Sequence, residues 1–265
     1  MLKKIIARNN VTVHGTGSKS MLLVHGYGCD QNMWRFIIPQ FKDDYKLILI
    51  DLVGSGKSDV NSYNYDKYSS LDGYAADIIE ICDALNLKDV CLVGHSVSAI
   101  IGLLAAIEKP ALFKKLIMIG PSPRYINDAD YFGGFSQKDI DDLMETLDAN
   151  YLGWSSAMAP VIMGNADRPE LAAELEESFC QNNPKIARHF AKVTFIGDNR
   201  KDLNKCTTDT LIIQSKTDAI ASIKVGQFVH DNISNSKFTI LETTGHCPHL
   251  SAPEQTIEAM KDYLT

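Results

Sequence analysis

Six short apolar runs punctuate the chain: Met21–Val24, Lys46–Ile50, Val90–Val93, Leu116–Ile119, Thr210–Gln214 and Phe238–Leu241. Several are apolar at successive positions, the pattern of central parallel strands with helices on both faces. Between them the apolar period lengthens. Leu71, Tyr74, Ala75, Ile78, Ile81, Cys82 and Leu85 recur at steps of three and four, which predicts an amphipathic helix. Ile100, Ile101, Leu104 and Ile107 repeat the pattern until Lys109-Pro110 stops it. Strand followed by helix in this order implies an α/β protein with a parallel, doubly wound sheet.

From Pro123 to Phe195 the alternation fails and helix signals replace it. Ser136 is placed to cap a helix whose apolar positions are Ile140, Leu143, Met144 and Leu147. Pro169 stands at a first helical position, followed by Leu171, Leu175 and Phe179. Asn183-Pro184 repeats the cap-then-proline signal before Ile186, Phe190 and Val193. The expected organisation is a core formed by 1–122 and 196–265, with 123–195 inserted as a helical lid over the carboxyl edge of the sheet. No internal repeat or low-complexity segment interrupts it.

Composition narrows the class. The 265 residues are 45% hydrophobic and 22% charged, ordinary globular values that exclude a disordered or coiled-coil chain. A net charge of −7 argues against a nucleic-acid partner, which a basic patch would attract. No run approaches the 18 or so apolar residues of a membrane span, and the N-terminal stretch lacks the apolar length of a signal peptide. The six cysteines form no C-x-x-C pair and fall in apolar elements, as reduced thiols do. A cytoplasmic location is expected.

The chemistry concentrates at Val90-Cys91-Leu92-Val93-Gly94-His95-Ser96-Val97-Ser98, an apolar strand running into a helix with serine at the turn. That is the setting of a nucleophile elbow, G-x-S-x-G, here with Ser98 in place of the second glycine. A serine is a weak nucleophile at neutral pH without a base, and the base needs an orienting partner. In this arrangement the acid and then the histidine follow later strands. Asp218 follows Leu211–Gln214 and His246 follows Phe238–Leu241. Asp209 precedes its strand and Asp231 lies in a helical pattern, so neither competes. His249 is the alternative base; its plainer reading is a loop histidine bonded to backbone. The loop His25-Gly26-Tyr27-Gly28-Cys29 after Met21–Val24 suits an oxyanion donor, which assigns the two amides to Tyr27 and Val97. His25 and His95 are expected to hold loops through side-chain hydrogen bonds. Gly54-Ser55-Gly56-Lys57-Ser58 ends like a phosphate loop, but Asp51 stands where its first glycine belongs. The seven histidines show no zinc-ligand spacing, and no metal or cofactor is implied.

The runs at 26–31 (Gly-Tyr-Gly-Cys-Asp-Gln), 53–56, 71–75, 94–97, 120–123, 133–135 and 245–249 (Gly-His-Cys-Pro-His) carry a family resemblance. The chain resembles the RsbQ-like α/β-hydrolases, bacterial regulators that act with a phosphatase in activating a stress sigma factor. The similarity extends to the plant strigolactone and karrikin receptors, and Ser98 and Arg124 lean toward that branch. It runs nearly end to end. The resemblance implies an α/β-hydrolase fold and a Ser96, His246, Asp218 triad beneath a V-shaped four-helix lid. It also implies a small apolar ligand pocket with Tyr27, Tyr125, Phe135, Trp154 and Phe195 as its aromatics. Tyr27 replaces the family's common phenylalanine, and its hydroxyl near the nucleophile would favour a more polar ligand.

The expected function is a serine hydrolase acting on a small, mostly apolar ester or lactone. The competing expectation is a ligand-sensing module that signals to a regulatory phosphatase partner, with slow or single-turnover hydrolysis. Serine at 96 argues against the dehalogenase and epoxide hydrolase branches, which use aspartate. Carbon–carbon bond hydrolysis stays open, because pocket shape decides it.

Overall fold

The computed structural model describes residues 2–265. Its strands are β1 (Thr12–His14), β2 (Lys19–Val24), β3 (Tyr45–Ile50), β4 (Val90–His95), β5 (Phe113–Ile119), β6 (Asp209–Thr217) and β7 (Ser236–Thr244). They form one sheet in the order β1-β3-β2-β4-β5-β6-β7, parallel throughout except for β1, which runs antiparallel to β3. All six expected strands are present, with longer ends. Backbone pairing carries β5 back over Lys114 and Lys115, and β7 forward over Glu242 and its threonines, where side-chain pattern is silent. β1 escaped sequence reading because three residues, two of them exposed, make no apolar run. β4 is buried at all six positions, as its sequence requires at the centre of a covered sheet.

The helices are α1 (Leu2–Arg8), α2 (Ile38–Phe41), α3 (Leu71–Ala84), α4 (Val97–Glu108), α5 (Gln137–Ala149), α6 (Tyr151–Met163), α7 (Pro169–Cys180), α8 (Pro184–Ile196), α9 (Ile223–Asn232), α10 (Pro248–Ser251) and α11 (Pro253–Leu264). Ser136 caps α5 in a reciprocal capping box with Asp139, and Asn183 caps α8 by accepting from Lys185 and Ile186 N–H. α6 carried no helix signal, because Gly153 and Pro160 both disfavour helix. Asn150 caps it and packing against α7 holds it.

Helices α5–α8 lie between β5 and β6 and are fastened to loops at the carboxyl ends of the strands. Tyr27 Oη donates to Ala187 O of α8 at 3.0 Å, and Ser178 and Asn182 both donate to Gly28 O at 2.9 Å. His246 N–H donates to Ile162 O of α6 at 2.8 Å. All six cysteines are free, five of them buried.

Candidate active site

The turn from β4 into α4 forces Ser96 to φ 56°, ψ −123°. That conformation is costly for a residue with a side chain and is retained where surrounding structure over-determines it. Ser96 N–H donates to Ile119 O at 2.8 Å on one side, and Ala99 N–H donates back to Ser96 O at 3.0 Å on the other. Gly94 is required: a Cβ there would stand 2.2 Å from Ser98 O. Ser98, the departure from the usual glycine, donates its Oγ to His25 O at 2.5 Å, a bond that ties the elbow to the neighbouring loop.

The two other chemistry-bearing loops reach the same point. His246 Nε2 lies 2.8 Å from Ser96 Oγ, and His246 Nδ1 lies 2.7 Å from Asp218 Oδ2. A carboxylate only accepts, so Nδ1–H donates to Asp218 and Nε2 is free to accept from the serine. Asp218 is held in turn. Its Oδ1 accepts from Ile220 N–H at 2.8 Å and Ala221 N–H at 3.1 Å, and its Oδ2 accepts from Gln214 Nε2 at 3.2 Å. Gly245 N–H donates to Thr217 O at 2.8 Å, joining the acid and histidine loops directly.

Tyr27 and Val97 flank this cluster. Val97 opens α4, where a first-turn N–H has no intrahelical partner. Tyr27 sits in a turn closed by Cys29 N–H donating to Gly26 O at 3.3 Å. Its hydroxyl does not bond to Ser96. It donates to Ala187 O, which corrects the expectation that Tyr27 would polarise the ligand site.

The three remaining histidine assignments divide. His25 Nε2 accepts from Leu52 N–H at 3.0 Å, so its Nδ1 carries the proton donated to Gly26 O at 2.8 Å; both bonds need the neutral ring. His95 Nε2 donates to His246 O at 2.8 Å, bracing the loop that carries His246. Burial, and then His249 and His246, hold His95 well below the usual histidine range. His249 overturns its expected reading. Neither ring nitrogen has a partner; the ring is fully buried between Trp34 and His95, with centroids 4.7 and 4.5 Å away. Burial, then His246 and Arg35, push its pKa down to about 3. The apolar contact with Trp34 draws it inward instead of toward backbone.

Above Ser96 lies a cavity between these loops and α5–α8. Tyr27, Tyr125, Phe135, Trp154 and Phe195 all line it, as the family resemblance implied. Phe179 and Thr194 line it too and were missed; Phe179 read only as part of an apolar helix stripe. No Asp, Glu, Lys or Arg lines the cavity among the described residues. Tyr125 Oη, Trp154 Nε1 and Thr194 Oγ1 are buried there without hydrogen-bond partners.

The sequence pattern of the alpha/beta hydrolase fold matches residues 19–253. The chain belongs to the alpha/beta hydrolase family. It is 36% identical to the Karrikin insensitive 2 receptor CA of Petunia hybrida over 97% of this chain and 95% of that protein. It is also 36% identical to a strigolactone esterase of Arabidopsis thaliana, over 98% of this chain and 97% of the relative. Among solved structures, a hydrolase from Oleispira antarctica superposes with a TM-score of 0.97 at 41% identity, covering 99% of this chain and 97% of that one. This alpha/beta hydrolase is therefore an enzyme of a group that holds named esterases and named receptors. No helix among its described residues is long and apolar enough to cross a membrane.

Proposed function

We propose that the protein is a serine hydrolase that cleaves a small, mostly apolar ester or lactone. The reading rests on one observation: the hydrogen-bonded sequence Ser96 Oγ, His246 Nε2, His246 Nδ1, Asp218 Oδ2 at the floor of a cavity without ionic side chains. Ser96 Oγ attacks the ester carbonyl while its proton passes to His246 Nε2. The amides of Tyr27 and Val97 receive the charge on the carbonyl oxygen. The carbon–alkoxy bond then breaks, and the leaving oxygen takes the proton from His246. Water, deprotonated by the same imidazole, releases the acyl group. Asp218 keeps the imidazole in the tautomer this requires and stabilises its cation. The 123–195 segment acts as the lid that excludes bulk water. A cytoplasmic setting belongs to this reading and is supported by six unpaired thiols.

Ser96→Ala tests it on a p-nitrophenyl ester of a short acyl chain. Turnover should fall by about 10⁴-fold or more with an unchanged melting temperature; retained turnover would remove the assignment. A second reading, ligand sensing with slow hydrolysis reported to a phosphatase partner, draws support from the receptor among the relatives. Stopped-flow kinetics separates the two: a burst of one equivalent followed by little turnover favours sensing.

A further inference from the structure

Tyr125 differs from Tyr27, the other tyrosine of the cavity, in that its hydroxyl has no hydrogen-bond partner. Its ring packs against Phe195 at 5.0 Å, as the others pack, and its hydroxyl, buried without a close hydrogen-bond partner, lines the same cavity as Ser96, whose side chain opposes the rise that burial causes in its pKa. The residue is 1% exposed. Packing alone is served as well by phenylalanine, which avoids burying an unpaired donor.

The chain around it is built to hold it still. Phe135 N–H donates to Tyr125 O at 3.1 Å, and Asn127 N–H donates to Phe135 O at 2.7 Å. Asn127 Oδ1 accepts from Gly133 and Gly134 N–H, both at 2.9 Å. Arg124 O, one residue earlier, accepts from Tyr131 Oη at 2.7 Å and Ser122 Oγ at 3.0 Å. Gly133 is needed because a Cβ there would lie 2.4 Å from Tyr125 O. The bonds of residues 122–135 thus fix one phenol on the wall of the cavity that Ser96 also lines, with no close hydrogen-bond partner of its own. A donor whose orientation is set before the substrate arrives stabilises developing charge without reorganisation.

We propose that Tyr125 is a further catalytic residue, a side-chain donor to an oxygen on the reacting carbon of the ester bound at Ser96. The inference rests on the serine-hydrolase reading. Burial raises the phenol far above the tyrosine range, so it stays protonated and donates without transferring its proton. The bonds formed and broken, and the path of the proton through His246, are unchanged; Tyr125 adds a hydrogen bond to the tetrahedral intermediate or to the departing alkoxy oxygen.

The test compares wild type, Tyr125→Phe and Ser96→Ala on p-nitrophenyl acetate and ethyl acetate. Tyr125→Phe should lower kcat about 100-fold. KM should stay within about twofold, because the bond strengthens only in the transition state. Its melting temperature should equal or exceed that of wild type, since an unpaired buried hydroxyl is removed. A larger loss on ethyl acetate, the poorer leaving group, assigns the bond to the alkoxy oxygen, and equal losses assign it to the tetrahedral oxyanion. A kcat within about threefold of wild type on both esters would overturn the proposal, and so would a loss accompanied by a lowered melting temperature. If wild type is no faster than Ser96→Ala, the hydrolase reading fails first.

Discussion

The loops after β4, β6 and β7 and the helices α5–α8 face each other across one cavity, and they are built on opposite rules. In the loops, the working atoms are paired: Ser96 Oγ with His246 Nε2, His246 Nδ1 with Asp218 Oδ2, and Asp218 Oδ1 with two backbone amides. On the helical side the contacts are aromatic. Tyr27 meets Trp154, Phe190 and Phe195 at centroid distances of 6.0, 5.6 and 5.8 Å, while Trp154 Nε1 and Thr194 Oγ1 have no partner. Hydrogen bonds between named atoms are directional, so one changed atom disables them. Apolar contact is proportional to area and tolerates exchange at constant volume.

Breaking the paired side should have the largest effect. Asp218→Asn keeps the shape but presents the wrong hydrogen-bonding pattern to His246 Nδ1, so kcat should fall about 10⁴-fold with little change in stability, as steady-state kinetics and thermal melts will show. On the aromatic side the loss should appear as stability instead. Trp154→Ala removes a nearly buried indole and should cost about 3–5 kcal/mol in urea unfolding, with a raised KM and continued labelling of Ser96 by a fluorophosphonate.

The buried histidines offer a sharper contrast through pH. His249 has its folded pKa depressed to about 3, so the unfolded chain binds the extra proton between there and about 6.5. Stability it leaves intact above pH 6.5 is lost as pH falls toward 3. His249→Phe should therefore recover about 2 kcal/mol relative to wild type at pH 5, compared with pH 7, in urea titrations at the two values. The smallest effect belongs to the strap between the two sides. Tyr27→Phe deletes the bond to Ala187 O and should cost about 1 kcal/mol of stability, read by the same titration.

Much of the site was legible because its signals are local. An apolar strand followed by Gly-x-Ser declares the elbow, and acid and histidine each stand just beyond a later strand. Ser136, Pro169 and Asn183-Pro184 announced three of the four inserted helices through capping side chains and first-turn prolines. What stayed illegible had no local signal. α6 contains residues that disfavour helix, and β1 is too short for a pattern. The Tyr27 hydroxyl is decided by a carbonyl 160 positions away.

The order of strands and helices, the elbow and the sequence of serine, acid and histidine followed from the chain alone, because periodicity and turn chemistry act over a few residues. Only the tertiary structure separated His246 from His249, three residues apart. One ring meets Asp218 and Ser96, and the other is pressed against Trp34. It alone also revealed the unpaired Tyr125 phenol. Pairing and desolvation depend on atoms that distant segments bring together, and no stretch of sequence carries that information by itself.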